Sequence, residues 1–164
     1  MTLPILNIAD LELHEQGHGE RFQARFALIG SRLGAKKLGY NLTVLAPGKR
    51  AFPFHNHRVN EEMFFVLAGQ GEVRIGKERH PIRQGDVIAC PPGGPETAHQ
   101  IINTSAAELR YLAVSTQLSP EIAEYPDSNK FGVIAEPSPG SEAGETFHFV
   151  GRPEGGLDYW EGEE

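Results

Sequence analysis

Between Gly39 and Thr116 apolar and polar residues alternate in short runs, each closed by glycine, proline, asparagine or aspartate. In Gly39–Gly48, Leu42 and Val44 alternate with Asn41 and Thr43, the period-two pattern of a half-buried strand. The same rhythm predicts three hairpins: Glu62–Gly69 with Glu72–Gly76, Glu78–Arg83 with Asp86–Pro91, and His99–Asn103 with Glu108–Ser115. Gly69-Gln70-Gly71, Gly76-Lys77-Glu78 and Arg83-Gln84-Gly85-Asp86 supply turns. Upstream, strands are expected around Leu3–Ile8 and Phe22–Leu28, with Ser31–Lys37 as a polar connector. Downstream, Ser119 and Pro120 suit the cap and first position of one helical turn over Leu118–Tyr125. Glu124–Glu145 then reads as loop-rich, Phe147–Val150 as an edge strand, and Tyr159-Trp160 as an apolar pair packed on the body or on a partner. Many short strands at close spacing predict an all-β sandwich or barrel.

Composition narrows this picture. The 164 residues suit one domain with a sizeable core, and 19 glycines and 12 prolines fit a turn-rich β protein. No run of 18 apolar residues exists, so a membrane span is not expected; Met1–Gln16 lacks the features of a secretory signal. Cys90, the one cysteine, excludes an internal disulfide and fits a cytoplasmic protein. In Val87–Cys90 it reads as a small buried hydrophobe. A net charge of −7 argues against nucleic acid or anionic membrane as partner. The acid excess gathers late, at Glu136, Glu142, Glu145, Glu154, Asp158, Glu161, Glu163 and Glu164, as a solvated tail.

Candidate chemistry lies in His55, His57, Glu62 and His99. Residues 55 and 57 project from one face of an extended strand. Glu62, Phe64 and Val66 share a face on the next run, with Glu61 pointing away, and His99 opens a later strand. Three neutral imidazoles and a carboxylate, if they converge, bind one divalent transition metal: Fe, Mn, Ni or Zn. A buried, unpaired carboxylate costs several kcal/mol, roughly, and a cation removes that penalty. His14, His18, His80 and His148 fall in polar or edge positions and are expected to face solvent.

These residues resemble the two motifs of a cupin, the small double-stranded β-helix. Gly48, His55, His57, Glu62 and Gly69 follow the first motif, with six residues rather than five between Gly48 and His55. Gly85, Pro91, Gly93, His99 and Asn103 follow the second, with five residues rather than two between Gly93 and His99. The resemblance implies a jelly-roll-like barrel with N- and C-terminal extensions. It divides a single cupin domain, 1–164, into N-terminal strands at 1–39, a conserved barrel core at 40–117 and a C-terminal extension at 118–164. By the same resemblance, His55, His57, Glu62 and His99 are the metal ligands.

Four protein ligands leave two positions free on a six-coordinate ion, where a small molecule can chelate. That suits an aldose–ketose isomerase acting on a sugar or sugar phosphate, the favoured expectation. An Fe(II)-dependent dioxygenase and a non-catalytic small-molecule-binding cupin are the alternatives. Lys49 and Arg50 could hold a phosphate or carboxylate at the barrel mouth, and Gln100 and Asn103 could orient a ligand or a histidine. Tyr40 and Tyr111 qualify as acid–base groups only if they face inward, and the general base is unassigned. Edge strands of either extension would support a homodimer.

Overall fold

A computed structural model describes residues 4–137 and 145–163. Leu3, Glu142 and Glu164, named above, lie outside the described residues. Among the described residues thirteen strands run in chain order: β1 (His14–His18), β2 (Phe22–Leu28), β3 (Leu38–Leu45), β4 (Asn56–His57), β5 (Glu62–Ala68), β6 (Gln70–Ile75), β7 (Glu78–Arg83), β8 (Val87–Cys90), β9 (His99–Ile102), β10 (Leu109–Thr116), β11 (Glu121–Tyr125), β12 (Lys130–Ala135) and β13 (Phe147–Gly151). Short 3₁₀ turns are the only helical pieces among the described residues. The fold is the all-β double-stranded β-helix.

One layer is a six-stranded antiparallel sheet ordered β1-β2-β3-β10-β5-β8. The facing layer comprises β7-β6-β9 and β13-β12-β11-β4, joined by a bridge between His55 and His99. The core between the layers packs Leu45, Phe64, Val66, Val73, Ile82, Ile88, Ile101, Leu109 and Tyr111. A second cluster lies on the other face of the large sheet, where Leu6, Leu11, Leu13 and Tyr40 cover Ile29, Leu42 and Val44. Alternation thus sends β3 residues to two different apolar environments: Leu45 faces the barrel, Leu42 and Val44 its outer cover.

The strands expected in the barrel are present, but their partners differ from the hairpin scheme. β5 pairs with β8 and β10, not β6; β7 pairs with β6, not β8; β9 pairs with β6, not β10. Consecutive strands cross between layers instead of folding back. Gly69 makes one crossing: its φ is +84°, and a Cβ there would strike the Glu108 carbonyl oxygen. The hairpin with consecutive partners in this region is β6–β7, closed by Gly76-Lys77.

Three further expectations are corrected. Residues 4–7 are not a strand, and Ile8–Asp10 is a 3₁₀ turn, because Leu6, Leu11 and Leu13 pack across the large sheet. Leu118–Tyr125 is not helical: Glu121–Tyr125 is β11, whose amides and carbonyls are taken by β12 and β4. Five residues gain too little from isolated helix formation to compete with two ladders. The segment after Tyr125, expected as loop, contains β12, to which the expected edge strand β13 is paired.

Candidate metal centre

β4, β5 and β9 each deliver part of one polar cluster into the apolar barrel. The His55–His99 bridge is closed by two backbone hydrogen bonds, His55 N to His99 O at 3.2 Å and His99 N to His55 O at 2.7 Å. It draws the two motifs together. Parity puts Glu62 on the inward face with Phe64 and Val66, while Glu61 is exposed. Phe64 lies 5.6 Å from the His99 ring and edge-on to Tyr111, forming the floor.

The four side chains converge. One nitrogen or oxygen from each of His55, His57, Glu62 and His99 lies within 4.8 Å of the others. Glu62 Oε2 is 2.8 Å from His99 Nε2, 3.4 Å from His57 Nε2 and 3.9 Å from His55 Nε2. Two donors each about 2.1 Å from one ion lie roughly 3–4 Å apart, so this spacing suits a shared cation. The ring orientations suit it as well. His55 Nδ1 lies 2.8 Å from the Pro53 carbonyl and His99 Nδ1 3.4 Å from that of Thr97. In the tautomer that donates to those oxygens, each Nε2 would turn its lone pair toward the centre, the form a metal requires. Both ring nitrogens of His57 are buried without a hydrogen-bond partner, a deficit that an ion at Nε2 would remove at one of them.

Electrostatics in the metal-free chain match this arrangement. Burial, reinforced by His99 and His57, pushes His55 down to about 4, so this imidazole is neutral. Burial also opposes charge on His57, but the Glu62 and Glu121 carboxylates outweigh it and raise that group. For Glu62, burial favours the neutral acid, yet His57 and His99 hold it well below the usual carboxylate range. The site therefore presents a neutral nitrogen donor at His55 and an ionised oxygen donor at Glu62, both of kinds that a borderline divalent ion accepts.

Other candidates go elsewhere. Lys49 Nζ donates to the Glu20 carbonyl at 2.6 Å, tying down the N-terminal hairpin. Gln100 projects from the face of β9 opposite His99; its amide donates to the Phe52 carbonyl at 2.7 Å and accepts a long bond from Arg50. Lys49, Arg50 and Gln100 thus brace the loop leading to His55 rather than line the cluster. Asn103 is fully buried, and its amide spans Leu45, Ser105 and Ala107. It staples a loop one strand length from His99. Tyr111 faces inward but is entirely buried, and burial raises its hydroxyl further; Tyr40 packs in the outer cluster. His14, His18, His80 and His148 are exposed, and Cys90 is buried in the core.

Sequence reading missed two residues of β11. Buried Glu121 puts Oε2 3.6 Å from His57 Nδ1, and the Tyr125 ring stacks on His55 with centroids 6.2 Å apart. Alternation in Glu-Ile-Ala-Glu-Tyr, which sets Glu121, Ala123 and Tyr125 on one face, was the available signal.

A histidine–carboxylate cluster inside a double-stranded β-helix defines the cupin class. The family described as the cupin domain matches residues 41–115. The chain belongs to that family. Protein SchB of Streptomyces halstedii is 30% identical over 96 residues, covering 58% of this chain and 67% of that protein. An uncharacterised protein of Methanocaldococcus jannaschii is 33% identical over 61 residues, 37% of this chain but only 46% of its own length. A solved structure from Silicibacter pomeroyi, described as a sugar phosphate isomerase from a cupin superfamily, superposes with a TM-score of 0.76 at 25% identity, covering 93% of this chain and 94% of that one.

Proposed function

We propose that this chain is a metal-dependent enzyme acting on a small molecule, with a sugar or sugar phosphate isomerase as the favoured form. The observation that carries it is the inward convergence of His55, His57, Glu62 and His99 on one point. The end-to-end likeness to the Silicibacter pomeroyi protein supports the substrate class. His55, His57 and His99 hold the ion through Nε2 and Glu62 through Oε2, leaving positions for substrate oxygens. When bound, an Fe, Mn, Ni or Zn ion supplies a Lewis acid that polarises a carbonyl. The chain itself supplies two imidazoles, His55 and His99, held in register by backbone carbonyls, and a Phe64 and Tyr111 floor that limits water beneath the cluster. We read residues 1–164 as one such domain, 40–117 its barrel and 118–164 its extension. It would work in the cytoplasm as a homodimer.

Elemental analysis of protein purified without an affinity tag tests the metal, with His57→Ala and His99→Ala expected to lose it. Full occupancy in those variants would refute the assignment. An NMR time course with aldose and ketose phosphates, using the metal found, should show interconversion. Oxygen uptake with catechol or diketone substrates would favour the dioxygenase instead. Tight binding without product would mean a binding module.

A further inference from the structure

The three imidazoles of the cluster are not oriented in the same way. His55 and His99 each direct Nδ1 at the carbonyl two residues upstream, Pro53 and Thr97. For His57 the corresponding carbonyl is that of His55, already engaged by the His99 amide at 2.7 Å. Its Nδ1 is buried and faces Glu121 Oε2 at 3.6 Å. Glu121 is itself held rigidly: Oε1 accepts from the amides of Arg58, Val59 and Ile122 at 2.8–3.2 Å, and Oε2 from the Asn60 amide at 2.7 Å and the Asn60 side chain. Asn60 in turn accepts from Thr116 Oγ1 and Leu118 N. Strand register explains the approach, because Ala123 lies opposite His57, so Glu121 and Tyr125 fall on the face that looks toward the cluster.

We propose that Glu121, from outside the segment matched by the family, is a positioning residue that orients His57 toward the metal. Its Oε2 accepts a hydrogen bond from His57 Nδ1–H when Nε2 is committed to the ion, closing the few tenths of an ångström that separate the present contact from a hydrogen bond. The C-terminal extension then completes a site whose direct ligands all come from the barrel. This rests on the metal reading above, and concerns only this chain's own residues around the ion.

The test is zinc or cobalt titration of the full-length apoprotein, read by competition with a chromophoric chelator. Glu121→Gln should weaken binding about 10- to 100-fold, the usual effect of removing such a partner. Thr116→Val removes the hydroxyl that donates to Asn60 Oδ1 and disturbs the same loop without touching Glu121 or His57; it should lower the melting temperature and leave metal affinity near wild type. Equal losses in both variants would reduce Glu121 to a loop anchor and overturn the proposal, as would wild-type affinity in a folded Glu121→Gln. A glutamine here meets amide donors on both sides and can fail to fold. Proton–nitrogen NMR of the zinc-loaded wild-type protein covers that case: the His57 Nδ1 proton should be strongly downfield and slow to exchange. Rapid exchange like that of a free imidazole would refute the role. If the wild-type protein binds neither metal, the metal reading falls and this inference with it; binding that is indifferent to Glu121 overturns this inference alone.

Discussion

Of His55 and His57, His57 is the one on which acid acts first. Burial keeps His55 neutral down to about pH 4, whereas Glu62 and Glu121 raise His57 despite its burial. A proton on Nε2 must leave before a metal binds there, so lowering the pH opposes loading. Because His57 is raised, metal affinity should already be falling above the ordinary imidazole value of about 6.5, and should drop by about tenfold per unit below it. Affinity that stays level down to pH 4.5 would mean His57 is not a ligand. Cys90 shows the opposite effect of the same surroundings: burial, and then the Glu62 charge, push its thiol up to about 12. Iodoacetamide at pH 8 should leave Cys90 unmodified in the folded protein and label it in denaturant, as mass spectrometry would reveal. Fast labelling of the native protein would contradict the burial. The four cluster residues were legible because each carries rare chemistry at a definite spacing. The hydrogen bonds that Lys49, Arg50, Gln100 and Asn103 make were not legible, because nearness in sequence says nothing about which face of a strand a side chain leaves.

At the scale of elements, alternation located strands well and their partners badly. Turn residues mark where a strand ends, not where the chain goes next. A glycine between two apolar runs fits a hairpin and a crossing between layers equally. Gly69 exemplifies this: it looks like a hairpin turn, yet β5 and β6 lie in different layers. Its positive φ and the close Glu108 carbonyl leave no room for a side chain. Gly69→Ala should cost on the order of 2–4 kcal/mol in urea unfolding, combining left-handed strain with displaced backbone. A change under about 0.5 kcal/mol would mean that the crossing relaxes easily. β11 was lost for a related reason: Ser119-Pro120 carries a helix-start signature, while the ladders to β12 and β4 that decide the outcome come from residues far away in the chain.

For the whole molecule, the proposed metal site would couple folding to metal binding. An ion that binds only the native state at a hundred times its dissociation constant adds about 2.7 kcal/mol. For a chain of this size that is worth roughly 5–10 °C in melting temperature. Stripping with a chelator should lower the melting temperature by that amount, and restoring metal should recover it; identical melts would indicate no native-state binding. Among the described residues β13 has one hydrogen-bonded neighbour, and it exposes Phe147, Phe149 and Val150. Light scattering at micromolar concentration should give twice the chain mass, and a monomer would leave that edge free.

The bridge between His55 and His99 joins segments made at different moments of synthesis. A nascent chain leaving the ribosome exposes the first two histidines well before the third, and an unpaired His-Asn-His triplet grips ions weakly. On the proposed metal reading, the full set of ligands exists only once the barrel has closed, and the ion acquired would be whichever one the surrounding pool offers at that moment. Expression in a host with a different free-metal balance would then change the occupant without altering a single covalent bond of the polypeptide.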